Sequence, residues 1–194
     1  MNHVKEFGTA IRSTLILWLI VAIMYPLMIL AVGELFTPFQ AHGSILRNRQ
    51  AQAIGSALIG QPFTSEKYFW SRPSAINYST DKTASPTGIS GASNLAASNP
   101  DLPRRIKTEI DRLKAAGIKP NNDLVYTSGS GLDPHISLES ARSQISRIAK
   151  ARGLDTNKVE IIMTQSIEDR FLGIFGEPGV NVVNLNLALD KLTK

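Results

Sequence analysis

The sequence predicts a bitopic membrane protein: a single N-terminal transmembrane helix followed by one soluble domain of mixed α/β (or α+β) class. Three observations carry that expectation. No charged residue stands between Arg12 and Glu34, helical and strand patterns alternate afterwards without an internal repeat, and 194 residues leave room for one modest domain behind an anchor. The divisions that follow are 1–12 as a cytoplasmic N-terminus, 13–33 as the span, 34–52 as a connector and 53–194 as an extracytoplasmic soluble domain. The chain carries 21 Lys+Arg against 16 Asp+Glu, a formal charge of +5. Lys5 and Arg12 are offset by Glu6 and Glu34, so the excess sits on the soluble part. No basic run interleaved with aromatics occurs, which argues against a nucleic-acid partner. The absence of cysteine excludes disulfides, zinc–thiolate sites and thiol nucleophiles.

The charge-free stretch is about 21 residues long, and at ~1.5 Å each it matches the ~30 Å hydrocarbon core of a bilayer. Ala31-Val32-Gly33 has the small-x-small form of a signal-peptidase site. A signal peptide's apolar region, however, runs only ~7–15 residues, so a retained anchor is expected. Pro26 removes one backbone donor in mid-span and is expected to kink the helix. Such prolines are tolerated where neighbouring helices restore contacts, which makes Trp18, Tyr25 and Pro26 the expected packing positions. Lys5 and Arg12 precede the span, while no Lys or Arg follows it until Arg47, so the positive-inside rule puts the N-terminus in the cytoplasm and the domain outside. Phe36 and Phe39 then fall near the outer interface.

Beyond the connector, residues 53–63 alternate apolar and small side chains around Gly55 and Gly60 and predict a strand or tight strand-turn. An aromatic cluster, Tyr68-Phe69-Trp70, runs into Arg72-Pro73, whose first residue avoids helix. Residues 77–99 are rich in Ser, Thr, Ala, Asn, Gly and Pro and read as a flexible surface loop. Pro100 suits a first helical turn after Ser98 or Asn99. Leu102, Ile106, Ile110 and Leu113 make one apolar face, and Gly117 with Pro120 ends that helix. Residues 124–127 predict a short strand and 128–131 a loop. Ser137 then caps a helix bearing Leu138, Ala141, Ile145 and Ile148, closed by Gly153. Asp155 caps a third helix with Val159, Ile162 and Met163 inward. Glu177-Pro178-Gly179 predicts a turn, 180–185 a strand and 187–192 a short helix.

Several near matches to catalytic motifs fail on their missing partners. Gly55 and Gly60 have the glycine spacing of a phosphate-binding loop, but Gln61-Pro62 stands where lysine and a magnesium-binding hydroxyl belong. Asp81-Lys82-Thr83 opens like the phosphorylation motif of P-type ATPases, yet Ala84-Ser85 follows it and no nucleotide domain fits the length. Ser79-Thr80-Asp81-Lys82 spells a Ser-x-x-Lys without its companion elements. His135 beside Asp133 has the form of half a metal site or acid–base pair, but with only three histidines in the chain it is read instead as a loop histidine at the start of a helix.

Four stretches stand in order behind one anchor: Gly55-Ser56-Ala57-Leu58-Ile59-Gly60-Gln61, Arg72-Pro73-Ser74-Ala75, Ser128-Gly129-Ser130-Gly131-Leu132-Asp133-Pro134-His135-Ile136-Ser137, and Asn184-Leu185-Asn186-Leu187-Ala188-Leu189-Asp190. Together with Gly91-Ala92-Ser93-Asn94-Leu95, they resemble the C subunit of the Kdp-type potassium-transporting ATPase (KdpC family) over nearly the whole chain.

The resemblance implies an accessory, non-catalytic subunit of a high-affinity ATP-driven potassium import complex in the bacterial inner membrane. Its partners would be a potassium-channel-like subunit, a P-type ATPase subunit and the lipid bilayer. It implies no intrinsic cofactor: potassium is the transported ion, and ATP is met through the catalytic subunit, whose ATP affinity the family is proposed to raise. Gln61, Arg72 and Ser74, from the family-like motifs, are the expected partner- or nucleotide-related residues. Gln144 joins them because it stands three residues from Ala141, beside the apolar stripe of its helix. No catalytic residue or metal ligand is expected. The alternative from another class is a membrane-tethered extracytoplasmic enzyme or solute-binding module built on His135, Asp133 and the 128–131 loop.

Overall fold

A computed structural model describes residues 3–48, 50–81 and 88–192. Lys82 to Ser85, and with them the end of each of the two near matches around Asp81, lie outside the described residues. The chain divides into two compact units, Met1–Ile54 and Gly55–Lys194.

In the first unit α1 (His3–Leu19), a π-helical turn (Ile20–Met24) and α2 (Tyr25–Phe36) follow one another without a break. The stretch Lys5–Phe36 is long and apolar enough to cross a membrane, and none of its large apolar side chains is buried within the chain. At ~1.5 Å per residue it reaches about 48 Å, so it encloses the expected span 13–33 and extends past it at both ends. Pro26 has no N–H for the carbonyl four residues back, and its ring would crowd that carbonyl. The turn before it widens instead: the Tyr25 N–H bonds to the Ile20 carbonyl, five residues back. A π turn therefore absorbs the irregularity expected at Pro26. The connector is more structured than expected, holding α3 (Pro38–Ala41) and β1 (Ile45–Arg47).

The chain passes into the second unit within β2 (Ala53–Ser56), so the strand-turn expected over 53–63 keeps its strand only at the start. Among the described residues six α-helices follow: α4 (Asp101–Ala115), α5 (Asn122–Val125), α6 (Leu138–Arg142), α7 (Ile145–Arg152), α8 (Thr156–Gln165) and α9 (Val182–Leu192). They accompany an antiparallel sheet of β3 (His135–Ile136), β4 (Ile167–Glu168) and β5 (Gly179–Asn181), ordered β3-β5-β4. His135 pairs with Asn181, while Ile136 and Ile167 flank Val180. This is the mixed α/β class that the pattern predicted. Its core gathers Phe69, Trp70, Leu113, Leu124, Ile148, Val159, Met163, Val180, Leu185 and Leu189.

Local cap chemistry accounts for several boundaries. The Asn99 side chain accepts from the Asp101 N–H at 2.9 Å, Ser137 from the Ser140 N–H, and Asp155 from the Asn157 N–H. Gly153, at φ 64°, closes α7 in the left-handed region. Four expectations are corrected. Residues 124–127 are not a strand: Asn121 caps the helical turn α5, which buries Leu124 and Val125. The helix expected from Ser137 onward is two, α6 and α7, separated at Ser143 and Gln144. The strand expected over 180–185 ends at Asn181, whose side-chain oxygen accepts from the Asn184 N–H at 3.2 Å and so starts α9 five residues early. His135 is not in a loop but in β3.

The loop expected over 77–99 is largely without regular structure where described, yet part of it is tied down. The Gly91 N–H bonds to the Ser130 carbonyl at 2.8 Å and the Ile89 N–H to the Ser79 hydroxyl at 2.6 Å. Gly60 explains its own spacing without any phosphate: a Cβ there would lie 2.9 Å from Cδ1 of the buried Tyr78 and 3.0 Å from the Asp133 carbonyl.

Candidate functional site

The aromatic segment 68–72 forms a strip without regular secondary structure, and side chains rather than a neighbouring strand satisfy the backbone of Phe69 and Trp70. Gln144, fully buried, accepts from the Trp70 N–H at 2.8 Å and donates to the Trp70 carbonyl at 3.2 Å. Asn186 does the same for Phe69, at 2.8 and 3.0 Å. A buried peptide group without a partner is costly, and two side-chain amides supply those partners for Phe69 and Trp70.

Arginines fasten the edges of this strip. The Arg147 guanidinium donates to the Tyr68 carbonyl at 2.8 Å, to the Gln144 oxygen at 2.9 Å and to the Glu66 carbonyl. Arg152 donates to the Lys67 carbonyl at 2.6 Å and pairs with Asp190 at 2.8 Å, and Asp190 also accepts from the Tyr68 hydroxyl at 3.0 Å. Guanidinium groups of Arg112 and Arg147 stand 4.4 and 4.2 Å from the Trp70 ring centre, a double cation–π contact. Burial pulls Arg147 down to about 10, with Glu66 opposing and Arg112 reinforcing the shift.

Beyond Trp70 the strip reaches a cleft of about 320 Å³, bounded by Phe63, Trp70, Arg72, Ser74, Tyr78 and Arg112 among others. The Ser74 hydroxyl donates to the Gly131 carbonyl at 2.8 Å and accepts from the Ile76 and Tyr78 N–H groups. The Tyr78 hydroxyl donates to the Arg72 carbonyl, and burial pushes its pKa up to about 12. Gln61 contributes its carbonyl, which accepts from the Ser71 hydroxyl at 3.1 Å.

Arg72 also begins a row of alternating charges. Its guanidinium lies 3.4 Å from Asp133 and 3.8 Å from Asp123; His135 lies 3.4 Å from Asp133 and 2.9 Å from Glu168. The more shielded Asp133 carboxylate raises the His135 pKa most, partial burial opposes it, and Glu168 adds to the rise. Asp133 and Asp123 titrate below the usual carboxylate value. In each, burial pushes upward but is outweighed, by His135 and Arg72 for Asp133, and by Ser137, Ser140 and Arg72 for Asp123. Such a row positions groups and neutralises charge. The Ser128 and Ser130 hydroxyls bond to each other, and accept from the Gly131 and Leu132 N–H groups respectively. Among the described residues, no group of three or more His, Asp or Glu is arranged to hold a metal ion.

Of the residues singled out in the sequence, Arg72 and Ser74 line one cleft and Gln61 touches it through Ser71. Gln144 lies beneath Trp70 with its amide fully engaged, since Arg147 and the Ser140 carbonyl take its remaining capacity. Trp18 and Tyr25 project from the apolar helix, largely exposed, and Pro26 follows the π turn. Sequence reasoning did not single out Arg112, Arg147, Arg152, Asn186 or Asp190. Asn186 had a visible signal, a polar residue at helical spacing among Val182, Leu185 and Leu189. The arginines had none, because each looks like an ordinary solvated side chain until the 68–72 strip is laid across it.

Comparison with known proteins gives a uniform answer. The family described as KdpC, K+-transporting ATPase, c chain, matches residues 7–191. The potassium-transporting ATPase KdpC subunit of Synechocystis sp. is 57% identical over 187 residues, covering 96% of this chain and 98% of that protein. Its counterpart in Microcystis aeruginosa is 56% identical, covering 99% and 98%. The one in Geobacter metallireducens is 44% identical, covering 99% of each.

Proposed function

The chain belongs to the KdpC family of potassium-transporting ATPase subunits, and on that premise we propose that it is an accessory, non-catalytic subunit of a high-affinity, ATP-driven potassium import complex in the bacterial inner membrane. The observation that carries this reading is the end-to-end match to proteins named as one subunit of such an ATPase, in a chain with one apolar N-terminal helix. Its partners in this reading are a potassium-channel-like subunit and a P-type ATPase subunit, with potassium the transported ion and no cofactor of its own.

Residues 13–33 serve as the membrane span, 1–12 remain in the cytoplasm and 53–194 face outward beyond the connector 34–52. Trp18, Tyr25 and Pro26 offer the span's packing positions to neighbouring helices, where aromatic bulk and a locally irregular backbone favour close contact. In the soluble unit, the clamp of Gln144 and Asn186 holds Trp70 and Phe69 in place, and Trp70 lines the cleft beside Arg72. Arg72, Ser74 and Gln61 are the residues proposed to meet a partner there, and Gln144 is a positioning residue. The chain's effect on ATP is a raised affinity of the catalytic subunit, transmitted through the membrane subunits because nucleotide and soluble unit lie on opposite sides.

The test is reconstitution of the complex with and without this chain, measuring potassium-stimulated ATP hydrolysis across ATP concentrations. The reading expects loss of assembled, active complex without the chain, and a lower KM for ATP with it. Unchanged assembly and kinetics in its absence overturn it. Orientation is tested in intact spheroplasts with a single cysteine at Glu160, since the native chain has none. Labelling by a membrane-impermeant maleimide supports an outward domain, and protection until lysis overturns that orientation.

A further inference from the structure

The hairpin joining β4 to β5, residues 169–178, takes no part in the clamp, the cleft or the charge row. Its sequence, Arg170-Phe171-Leu172-Gly173-Ile174-Phe175-Gly176-Glu177, puts four large apolar side chains in one short turn. Phe171, Leu172, Ile174 and Phe175 are each 61–73% exposed.

The turn is built rather than loose. Phe171 and Phe175 form an antiparallel bridge, exchanging N–H to carbonyl bonds of 2.8 and 3.0 Å, and the Gly173 N–H bonds to the Arg170 carbonyl at 2.9 Å. Leu172 sits at φ 53°, in the left-handed region where a bulky side chain is disfavoured, and Gly173 and Gly176 lie at φ 73° and 85°. The fold therefore holds a leucine outward at a position where glycine or asparagine would be less strained. At the neck, Arg170 donates to both carboxylate oxygens of Glu177, at 3.0 and 2.8 Å. Charge stays at the base and the tip carries only hydrocarbon. A contiguous apolar surface of this kind marks an interaction site.

We propose that this hairpin tip inserts into the lipid bilayer that anchors the chain. A narrow convex tip of Phe, Leu, Ile and Phe suits fluid acyl chains, and it lacks the Tyr, Trp and Arg that dominate protein–protein hot spots. The Arg170–Glu177 pair then rests at headgroup level, with the apolar side chains reaching the headgroup–acyl boundary. Covalent geometry sets a bound: residues 37–54, even fully extended, span at most ~65 Å, so Gly55 stays within that distance of the end of the apolar helix. A tether that short gives a weak apolar contact a high effective concentration at the membrane, so the tip needs little intrinsic affinity. The inference rests on the membrane-anchor reading of Lys5–Phe36 and is independent of which subunits the chain joins.

The experiment uses the full-length chain in phosphatidylcholine–phosphatidylglycerol vesicles, with an environment-sensitive fluorophore on a single cysteine introduced as Ile174→Cys, and in parallel as Leu172→Cys. A label at the exposed Glu160 of α8 is the reference. Both tip labels are expected to emit at shorter wavelength than the reference, and to be quenched several-fold more strongly by brominated acyl chains. Tip labels that respond to bromine no more than the reference overturn the proposal. So does a tip label shielded only after companion subunits are added and still insensitive to bromine, which assigns the tip to a protein. Shielding that appears only at high protein-to-lipid ratio assigns the tip to a second copy and overturns insertion equally. Flotation of the same vesicles separates the two readings: a chain that floats with its tip in water overturns the insertion alone, and one that does not float overturns the anchor as well.

Discussion

Replacing Gln144 tests the clamp most severely, because its amide alone satisfies both peptide groups of a buried tryptophan. In Gln144→Leu the volume is nearly kept, but the Trp70 N–H and carbonyl, now bonded at 2.8 and 3.2 Å, lose their partners inside the core. Each buried group left unsatisfied costs about 1–3 kcal/mol, so the pair costs roughly 2–6 kcal/mol. Arg147 also loses an acceptor, but it keeps the Tyr68 and Glu66 carbonyls and adds little. Gln144→Ala adds a cavity term of about 1 kcal/mol. Against a domain stability of about 5–15 kcal/mol, such losses are readily measured. The assay is urea unfolding of the full-length chain in detergent, following Trp70 fluorescence in a Trp18→Phe background. At a mid-range slope of ~2 kcal/mol per molar urea, the midpoint should fall by about 1–3 M. Asn186→Leu should behave similarly through Phe69. A loss below about 1 kcal/mol for Gln144→Leu would refute the claim that side-chain amides hold the strip.

Three further outcomes follow from the same geometry. The His135 pKa is raised, so its stabilising contribution is complete below its unfolded value of 6.5 and is lost as pH rises through the higher folded value. Asp123 and Asp133 are lowered, so theirs is present above 3.8 and is lost as pH falls through the folded values. His135→Ala should accordingly destabilise the chain more at pH 5.5 than at pH 8.5, by up to about 1 kcal/mol because the site is partly open to water; an equal effect at both pH values contradicts the charge row. Gly60→Ala should cost about 1–3 kcal/mol in the same unfolding assay, because its Cβ meets the Tyr78 ring and the Asp133 carbonyl, and an unchanged midpoint would show that the ring has room to yield. Trp18→Ala and Tyr25→Ala should leave the isolated chain within about 0.5 kcal/mol of wild type, since these side chains touch little within it. Both should reduce the amount of companion subunit recovered with it.

Legibility in the sequence followed the range of the interaction. Helix caps are local chemistry, so Ser137, Gly153 and Asp155 were readable directly from residue type and position. Pattern failed where tertiary context overrode it. The β-branched run Val180, Val182 and Val183 reads as strand, but Asn181 caps a helix in its midst and Val182 gives its N–H to the Pro134 carbonyl. The two-residue strands β3 and β4 are too short to show any period. Gln144 was conspicuous as a polar residue beside an apolar stripe, but its task was invisible. Its partner Trp70 lies 74 residues away, and the Asn186–Phe69 pair spans 117 residues. The long apolar N-terminal helix was legible because composition alone points to it, whereas the π turn that accommodates Pro26 came only with the backbone.

The central claim is that this chain works as one subunit of a potassium-transporting ATPase. It is tested most directly by purifying the tagged full-length chain from membranes of potassium-starved cells, identifying what accompanies it and assaying potassium-stimulated ATP hydrolysis. The account predicts co-purification of a polytopic channel-like subunit and a P-type ATPase subunit in an active complex, both lost when the N-terminal helix is removed. A stable chain that purifies alone from those membranes, leaving an active potassium-stimulated ATPase behind, would contradict it.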